Sequence, residues 1–408
     1  MSVACLLAGP DPDTGTEAAG GHLARLGPLP VGGGGLIETL ERSGLRGRGG
    51  AAFPVAAKWR AVAQRASGTA VVLVNGAEGE PLSRKDRVLM ELRPHLILDG
   101  AALAAHSVGA DEIAVYVGAE HGRAAASLQR AVAERSGEQR RRIRLVRAPA
   151  TYVAGEESAA VHYLNDGVAL PTATPPRPYQ RGVGGRPTLV QNVETLAHVA
   201  LIARYGDGWY QASGRDASAG TALITLSGAV PNAGVVEVAQ GTTIGEVLGA
   251  GGDAAGGQAV LLGGYFGSWV AAEEASALAL DPVSLRARRH SLGCGVVAVL
   301  PHHRCGVVET ARCMSYLAGS SARQCGPCVF GLRAIAAAAE RLAATTSDPD
   351  DLAGLQRWSH QVVGRGACAH PNGAATLMLS ALQVFDHEFA LHHEHRRCSV
   401  SSAVARAT

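Results

Sequence analysis

Gly44-Leu45-Arg46-Gly47-Arg48-Gly49-Gly50-Ala51-Ala52-Phe53-Pro54, with Lys58-Trp59 shortly after, is the stretch on which the reading of this chain turns. Four glycines interleaved with two arginines strip side chains from a backbone that must approach something anionic, and a phosphate is the natural occupant. Glycines at this density admit left-handed dihedrals and turn successive N–H groups inward as an anion-binding nest, to which arginines add charge-assisted donors. A solvated glycine turn would account for a lone Gly-x-Gly equally well. The residues that come later decide against it.

Downstream, β-branched runs at Ala70–Val74 and Glu112–Val117 alternate with Ala-rich helical stretches over 97–107 and 122–134. That alternation predicts a parallel sheet with crossover helices. Directly after the first run come Asn75-Gly76-Ala77-Glu78-Gly79-Glu80-Pro81 and Lys85-Asp86-Arg87. Ligands of parallel α/β sheets bind at the carboxyl ends of strands, so Asn75, Glu78 and Glu80 are placed to accept hydrogen bonds from a ring or a ribityl hydroxyl. Taken alone, the element reads equally well as a polar turn with caps. Tyr152-Val153-Ala154-Gly155-Glu156-Glu157-Ser158 and Gly185-Arg186-Pro187-Thr188-Leu189-Val190-Gln191-Asn192-Val193-Glu194-Thr195-Leu196 follow, and each by itself could be an ordinary capped helix start.

The 408 residues allow two or three domains, and 47% apolar with 18% charged content is that of a soluble globular protein. Thirty-seven basic residues balance 35 acidic ones, which gives no reason to expect nucleic acid or an anionic membrane as a general partner. No apolar run reaches the ~18 residues of a membrane span, and Met1–Cys5 lacks a signal-peptide pattern, so the expectation is a cytoplasmic chain without direct membrane insertion. Of eight cysteines, only Cys5 precedes residue 290; Cys294, Cys305, Cys313, Cys325, Cys328, Cys368 and Cys398 crowd one end. Such crowding reads as metal or cluster ligation, with core thiols accounting for some members.

Four segments are expected. Residues 1–35, rich in Gly, Pro and Ala, form a flexible lead-in; 36–218 an α/β Rossmann-like domain; 219–292 a β-rich unit opened by a hairpin; and 293–408 a helical bundle carrying most of the cysteines. A single helix is expected from Ala374 to His393, with His392, His393 and His395 as a solvated helix end or an adventitious metal patch.

The four motifs in this order resemble the flavoprotein subunit of NADH:quinone oxidoreductase, the 51-kDa-type subunit of respiratory complex I, and the related subunits of NAD-dependent hydrogenases and formate dehydrogenases. The resemblance covers residues 40–390 and implies an FMN-binding α/β domain, a β-grasp domain of the soluble ligand-binding type and a helical iron–sulfur domain. It implies that NADH or NADPH reduces FMN and that electrons leave through an iron–sulfur cluster to a redox protein such as a ferredoxin, within a hetero-oligomer. Carried over by position, Gly47, Arg48, Gly49 and Gly50 with Lys58 would hold the flavin phosphate and ring. Asn75 and Glu78 would hold the isoalloxazine edge or ribityl, and Gly155, Glu156, Glu157, Asn192 and Thr195 the rest. Phe53 and Glu80 would face the dinucleotide.

The chain also departs from the family. Ala77 stands where Asp is usual, Gln191 where Asn is, Ala61 where an aromatic stacks, and Pro175-Pro176-Arg177-Pro178 lacks another aromatic. Each lost ring is worth about 1 kcal/mol of nucleotide binding, on the order of tenfold. A relay that carries flavin or cluster without binding pyridine nucleotide is therefore the alternative reading. At the cluster, Ala322 occupies the first ligand position, leaving Cys325, Cys328 and Cys368 for a 4Fe-4S cluster completed by another group, or for a 3Fe-4S cluster. Cys398 is the first choice for the missing ligand, with His370, Cys313 or a non-protein group behind it.

Overall fold

The computed structural model describes residues 5–10, 15–30, 34–66, 68–249 and 257–400. The chain forms two compact units: one takes in residues up to 79, 83–224 and 235–242, the other 80–82, 225–234 and 243 onward.

In the first unit, strands β1 (Ala70–Gly76), β2 (Ala110–Gly118), β3 (Ile143–Ala148) and β4 (Thr188–Asn192) make a parallel sheet of order β3-β2-β1-β4. Side chains alternate across it, as strand periodicity requires. Val72, Val74, Val115 and Leu189 face a core shared with helices Pro94–Val108 and Val193–Ala212, while Val71, Leu73, Tyr116 and Val190 face helix Glu157–Asp166. Both faces are covered, which explains the nearly unbroken apolar runs of the strands. The two long helices touch at Gly100, where a Cβ would lie 1.9 Å from the Leu196 carbonyl oxygen.

Strand β5 (Thr221–Gly228) carries the chain from the first unit into the second. With β6 (Gly234–Ala239), β7 (Gly257–Leu262), β8 (Ser268–Ala271) and β9 (Val296–Pro301) it makes a mixed sheet of order β6-β5-β9-β7-β8. Beyond β9, helices Gly306–Gly319, Leu332–Ala343, Asp351–Val362 and His370–Val384 pack in a ring, each against the next, as a four-helix bundle. The single helix expected from Ala374 to His393 is two, His370–Val384 and Asp386–Glu394, broken at Phe385. Phe385 is buried edge-on against Trp269 and lies so close over Gly306 that a Cβ there would meet its ring at 2.5 Å. Packing of one aromatic ring redirects the last helix toward the start of Gly306–Gly319.

The lead-in is not loose where it is described. Glu237 accepts hydrogen bonds from the amides of Cys5, Leu6 and Leu7, and the Arg93 guanidinium donates to the carbonyls of Leu7, Ala8 and Pro10. Leu6 is fully buried, and helix Ala19–Leu26 follows. Composition foresaw no order because the ordering groups lie ~90 to ~230 residues away; Gly32 and Gly33 of the glycine run lie outside the described residues.

Candidate functional site

The carboxyl edge of the first sheet organises the site. Strands β2 and β3 lie on one side of β1 and β4 on the other, so the crossover direction reverses between β1 and β4. Such a switch point is where open α/β sheets bind ligands. Asn192 ends β4 and is paired in register with Asn75, the last residue but one of β1.

Both asparagines are fixed by their side chains. Asn75 Nδ2 donates to the Gly155 carbonyl at 2.8 Å, tying the β1 end to the turn at Tyr152–Gly155. Asn192 Oδ1 accepts from the Glu194 amide at 2.9 Å and the Thr195 amide at 3.4 Å, capping helix Val193–Ala212, and its Nδ2 donates to Asp86 Oδ2 at 2.7 Å. Glu156 caps helix Glu157–Asp166 in the same way, accepting from the amides of Ser158 and Ala159 at 2.9 Å. Two helix N-termini, each favouring negative charge, thus converge on one strand edge.

The glycine loop lies against this edge. Gly47 N donates to Phe53 O at 2.9 Å, closing the loop, and Arg48 N donates to Thr195 Oγ1 at 2.9 Å. A Cβ on Gly49 would stand 3.4 Å from Asn192 Cβ, while Gly50 and Ala52 have φ of 105° and 49°, the left-handed range. Among the described residues, the amides of Gly49, Gly50 and Ala51 meet no acceptor. Consecutive undonated amides beside two helix N-termini fit a phosphate of a bound mononucleotide.

Some expected ligands have other work. The Arg48 side chain points away from the loop's open face: it is 5% exposed, donates to Tyr210 Oη at 3.0 Å and Thr221 O at 2.8 Å, and lies 3.6 Å from Glu194. Its contribution is to anchor the loop from beneath. Glu78 accepts from Ser83 Oγ and from the amides of Asp86 and Arg87 at 3.0 Å, so its carboxylate caps helix Lys85–Leu92. Glu80 belongs to the second unit; its carboxylate is buried and accepts from the amides of Leu82 and Tyr265. Lys58 Nζ pairs with Glu157 at 2.8 Å, both partly exposed. Phe53 is 55% exposed, an open aromatic face on the loop.

Sequence reading passed over the charged floor beneath. Lys85 is 2% exposed and its ammonium lies 2.6 Å from Asp86 and 2.8 Å from Glu194. Burial opposes its charge, but the two carboxylates outweigh burial and hold Lys85 cationic. With Arg48 the group balances two positive and two negative charges, and burial beside Arg48 and Lys85 keeps His198 neutral. The only signal in the sequence was Lys85-Asp86 trailing the second motif.

In the second unit five of the cysteines sort into two groups at opposite ends of helix Gly306–Gly319, which at 1.5 Å per residue is about 20 Å long. Cys328 is buried with Cys325 and Cys368 as its thiol neighbours, and the Ser321 hydroxyl hydrogen-bonds to it. Cys368 is held at the carboxyl end of that helix because His370, two residues on, hydrogen-bonds the Leu317 carbonyl at 2.8 Å. Burial and then Cys325 push the Cys328 thiol up to about 12, so a thiolate there requires a bound cation. Three thiols gathered in this way suit an iron–sulfur cluster. Cys398 is not among them: it lies with Cys305, Glu388 and His392, by the amino end of the same helix. The break at Phe385, which the sequence did not reveal, sends it there. Cys313 hydrogen-bonds Tyr265 and is buried within the helix. His392 is fully buried, not part of a solvated helix end.

Residues 40–201 match the Nuo51 FMN-binding domain, and 309–392 match the NADH-ubiquinone oxidoreductase-F iron–sulfur binding region. Fold and site define a flavin- and iron–sulfur-binding oxidoreductase subunit. The NADH-quinone oxidoreductase F 2 subunit of Rhizobium meliloti is 33% identical over 89% of this chain and 90% of its own. NADP-reducing hydrogenase subunit HndC of Solidesulfovibrio fructosivorans is 28% identical over 91% of this chain and 79% of its own. A solved chain of NAD+-reducing NiFe hydrogenase in the air-oxidised state superimposes with a TM-score of 0.79 and 30% identity, covering 88% of this chain; the present chain spans 62% of that one. This chain belongs to the family of NADH-quinone oxidoreductase F subunits, whose cofactors are FMN and an iron–sulfur cluster and whose substrate is NADH. Among the described residues no helix is long and apolar enough to cross a membrane.

Proposed function

We propose that this subunit oxidises NADH or NADPH at FMN and passes the electrons, through a cluster held by Cys325, Cys328 and Cys368, to a protein acceptor such as a ferredoxin within a hetero-oligomer. Bound FMN supplies the chemistry of accepting a hydride and releasing electrons one at a time. The chain supplies position. The amides of Gly49, Gly50 and Ala51 hold the phosphate, with Gly47 closing the loop, while Asn75, Gly155, Asn192 and Thr195 fix the edge against which the flavin lies. Lys58 and Glu157, already paired, are the polar side chains that can turn toward ligand, and Phe53 offers an aromatic face to the nucleotide.

The single observation that carries this reading is the set of undonated loop amides at the β1/β4 switch point. The test is to mix the FMN-loaded protein with NADH under argon. Prompt bleaching of the flavin absorbance is expected. Flavin that stays oxidised with NADH and with NADPH would overturn the reading and leave an electron relay that takes no pyridine nucleotide, as the alanine at position 61 would then explain.

A further inference from the structure

Cys305, Glu388, His392 and Cys398 each direct one ligand atom into a common space, and these atoms all lie within 4.8 Å of one another. The individual separations are Cys305 Sγ to His392 Nε2 3.4 Å, Cys305 Sγ to Glu388 Oε1 3.7 Å and His392 Nε2 to Glu388 Oε1 3.2 Å. A tetrahedral zinc with Zn–S of about 2.3 Å, Zn–N of about 2.05 Å and Zn–O of about 2.1 Å has S···N, S···O and N···O edges of about 3.6, 3.6 and 3.4 Å. The three edges match to about 0.2 Å.

Orientation points the same way. His392 Nδ1 lies 2.8 Å from the Leu342 carbonyl, which can only accept, so the proton sits on Nδ1 and the lone pair of Nε2 faces the cluster. Glu388 is held by two donors, the Ser399 amide at 3.0 Å and the Ser399 hydroxyl at 2.6 Å. A histidine whose second nitrogen donates to a carbonyl and a carboxylate held from behind are the outer-shell arrangement of metal ligands. His392 is wholly buried and Cys305 is 7% exposed, so an ion held there, in place of the thiol proton that otherwise bridges Cys305 to Glu388 or His392, is shielded from water. Cys305 opens helix Gly306–Gly319, and Glu388 and His392 sit one turn apart on helix Asp386–Glu394.

The geometry points to a closed structural zinc site, Cys305-Glu388-His392-Cys398, separate from the iron–sulfur cluster and clamping the last helix and the segment after it to the amino end of Gly306–Gly319. Two thiolates, one imidazole and one carboxylate are a zinc ligand set, and no ligand position is left for substrate. On binding, both thiols release their protons to solvent. No change of oxidation state is involved.

The test is metal analysis of the full-length holoprotein produced with zinc in the medium and washed with a weak chelator. About one zinc per chain is expected, in addition to the iron. In the double variant Cys305→Ser with His392→Gln, zinc falls at least tenfold while flavin and iron per chain are unchanged. Should that variant fail to fold, zinc-edge X-ray absorption of the unaltered protein decides, with two sulfur and two lighter scatterers expected. Three results overturn the site: no zinc in the unaltered protein, zinc equal in protein and variant or without sulfur neighbours, or a Cys305–Cys398 disulfide shown by a mass lower by two hydrogens.

Discussion

Replacing Asn192 tests whether the β1/β4 edge is built as described. Its side chain does two jobs: Oδ1 caps helix Val193–Ala212 through the Glu194 and Thr195 amides, and Nδ2 donates to Asp86 at 2.7 Å. An N-cap is worth about 1 kcal/mol, and a hydrogen bond to a buried charged acceptor about 2 kcal/mol. Asn192→Ala should therefore cost the first unit about 3 kcal/mol. Asn192→Asp keeps the capping acceptor but sets a second carboxylate against Asp86, whose carboxyl burial already pushes up. The folded pair then holds a proton more tightly than the unfolded chain, so its stability is greatest at acid pH and is lost as pH rises through the pair's folded value. The deficit of Asn192→Asp should shrink from neutral pH to about pH 5, and more steeply than that of Asn192→Ala, which loses only the hydrogen bond that favours the Asp86 carboxylate. Urea unfolding followed by circular dichroism, with flavin release by fluorescence, measures both. An Asn192→Ala loss under about 1 kcal/mol, or an Asn192→Asp deficit indifferent to pH, would refute the arrangement.

Gly100→Ala gains about 1 kcal/mol in helix propensity but must separate a pair of helices whose backbones leave 1.9 Å for the new carbon, so a net loss of about 2 kcal/mol or more is expected in the same unfolding experiment. Ala322→Cys restores a thiol at the first cluster position; in air the unaltered protein should lose the iron without a protein thiolate and show a three-iron paramagnetic signal, whereas the variant keeps about four irons per chain. Equal iron in both would count against three-thiolate ligation. Glu17 is buried, which disfavours its charge, yet hydrogen bonds from Arg25 and His22 outweigh burial and hold its carboxyl at about 2. A depressed carboxyl stabilises above its unfolded value and loses that contribution as pH falls, so the gap in unfolding temperature between the native chain and Glu17→Gln should close between about pH 4.5 and about pH 2.

What could be read from the sequence was whatever is local. The glycine loop, the β-branched strands and the asparagines at their ends each declare themselves within about ten residues, because turn chemistry and strand periodicity are short-range properties. The destinations of charged side chains are not local. Arg48 in the loop reads as a phosphate ligand, yet its guanidinium ends at Thr221 and Tyr210, over 160 residues on, and the Glu78 carboxylate caps a helix that begins seven residues later. A buried charge goes where fixed partners are dense, and those partners are brought together only by the fold. The cysteines make the same point from the other direction. Their spacing suggested one group of four, but a 14-residue helix separates the groups by its length, and the packing of Phe385 decides that Cys398 joins Cys305. The backbone proposed to face flavin was therefore legible, while the side chains that hold this backbone in place were not.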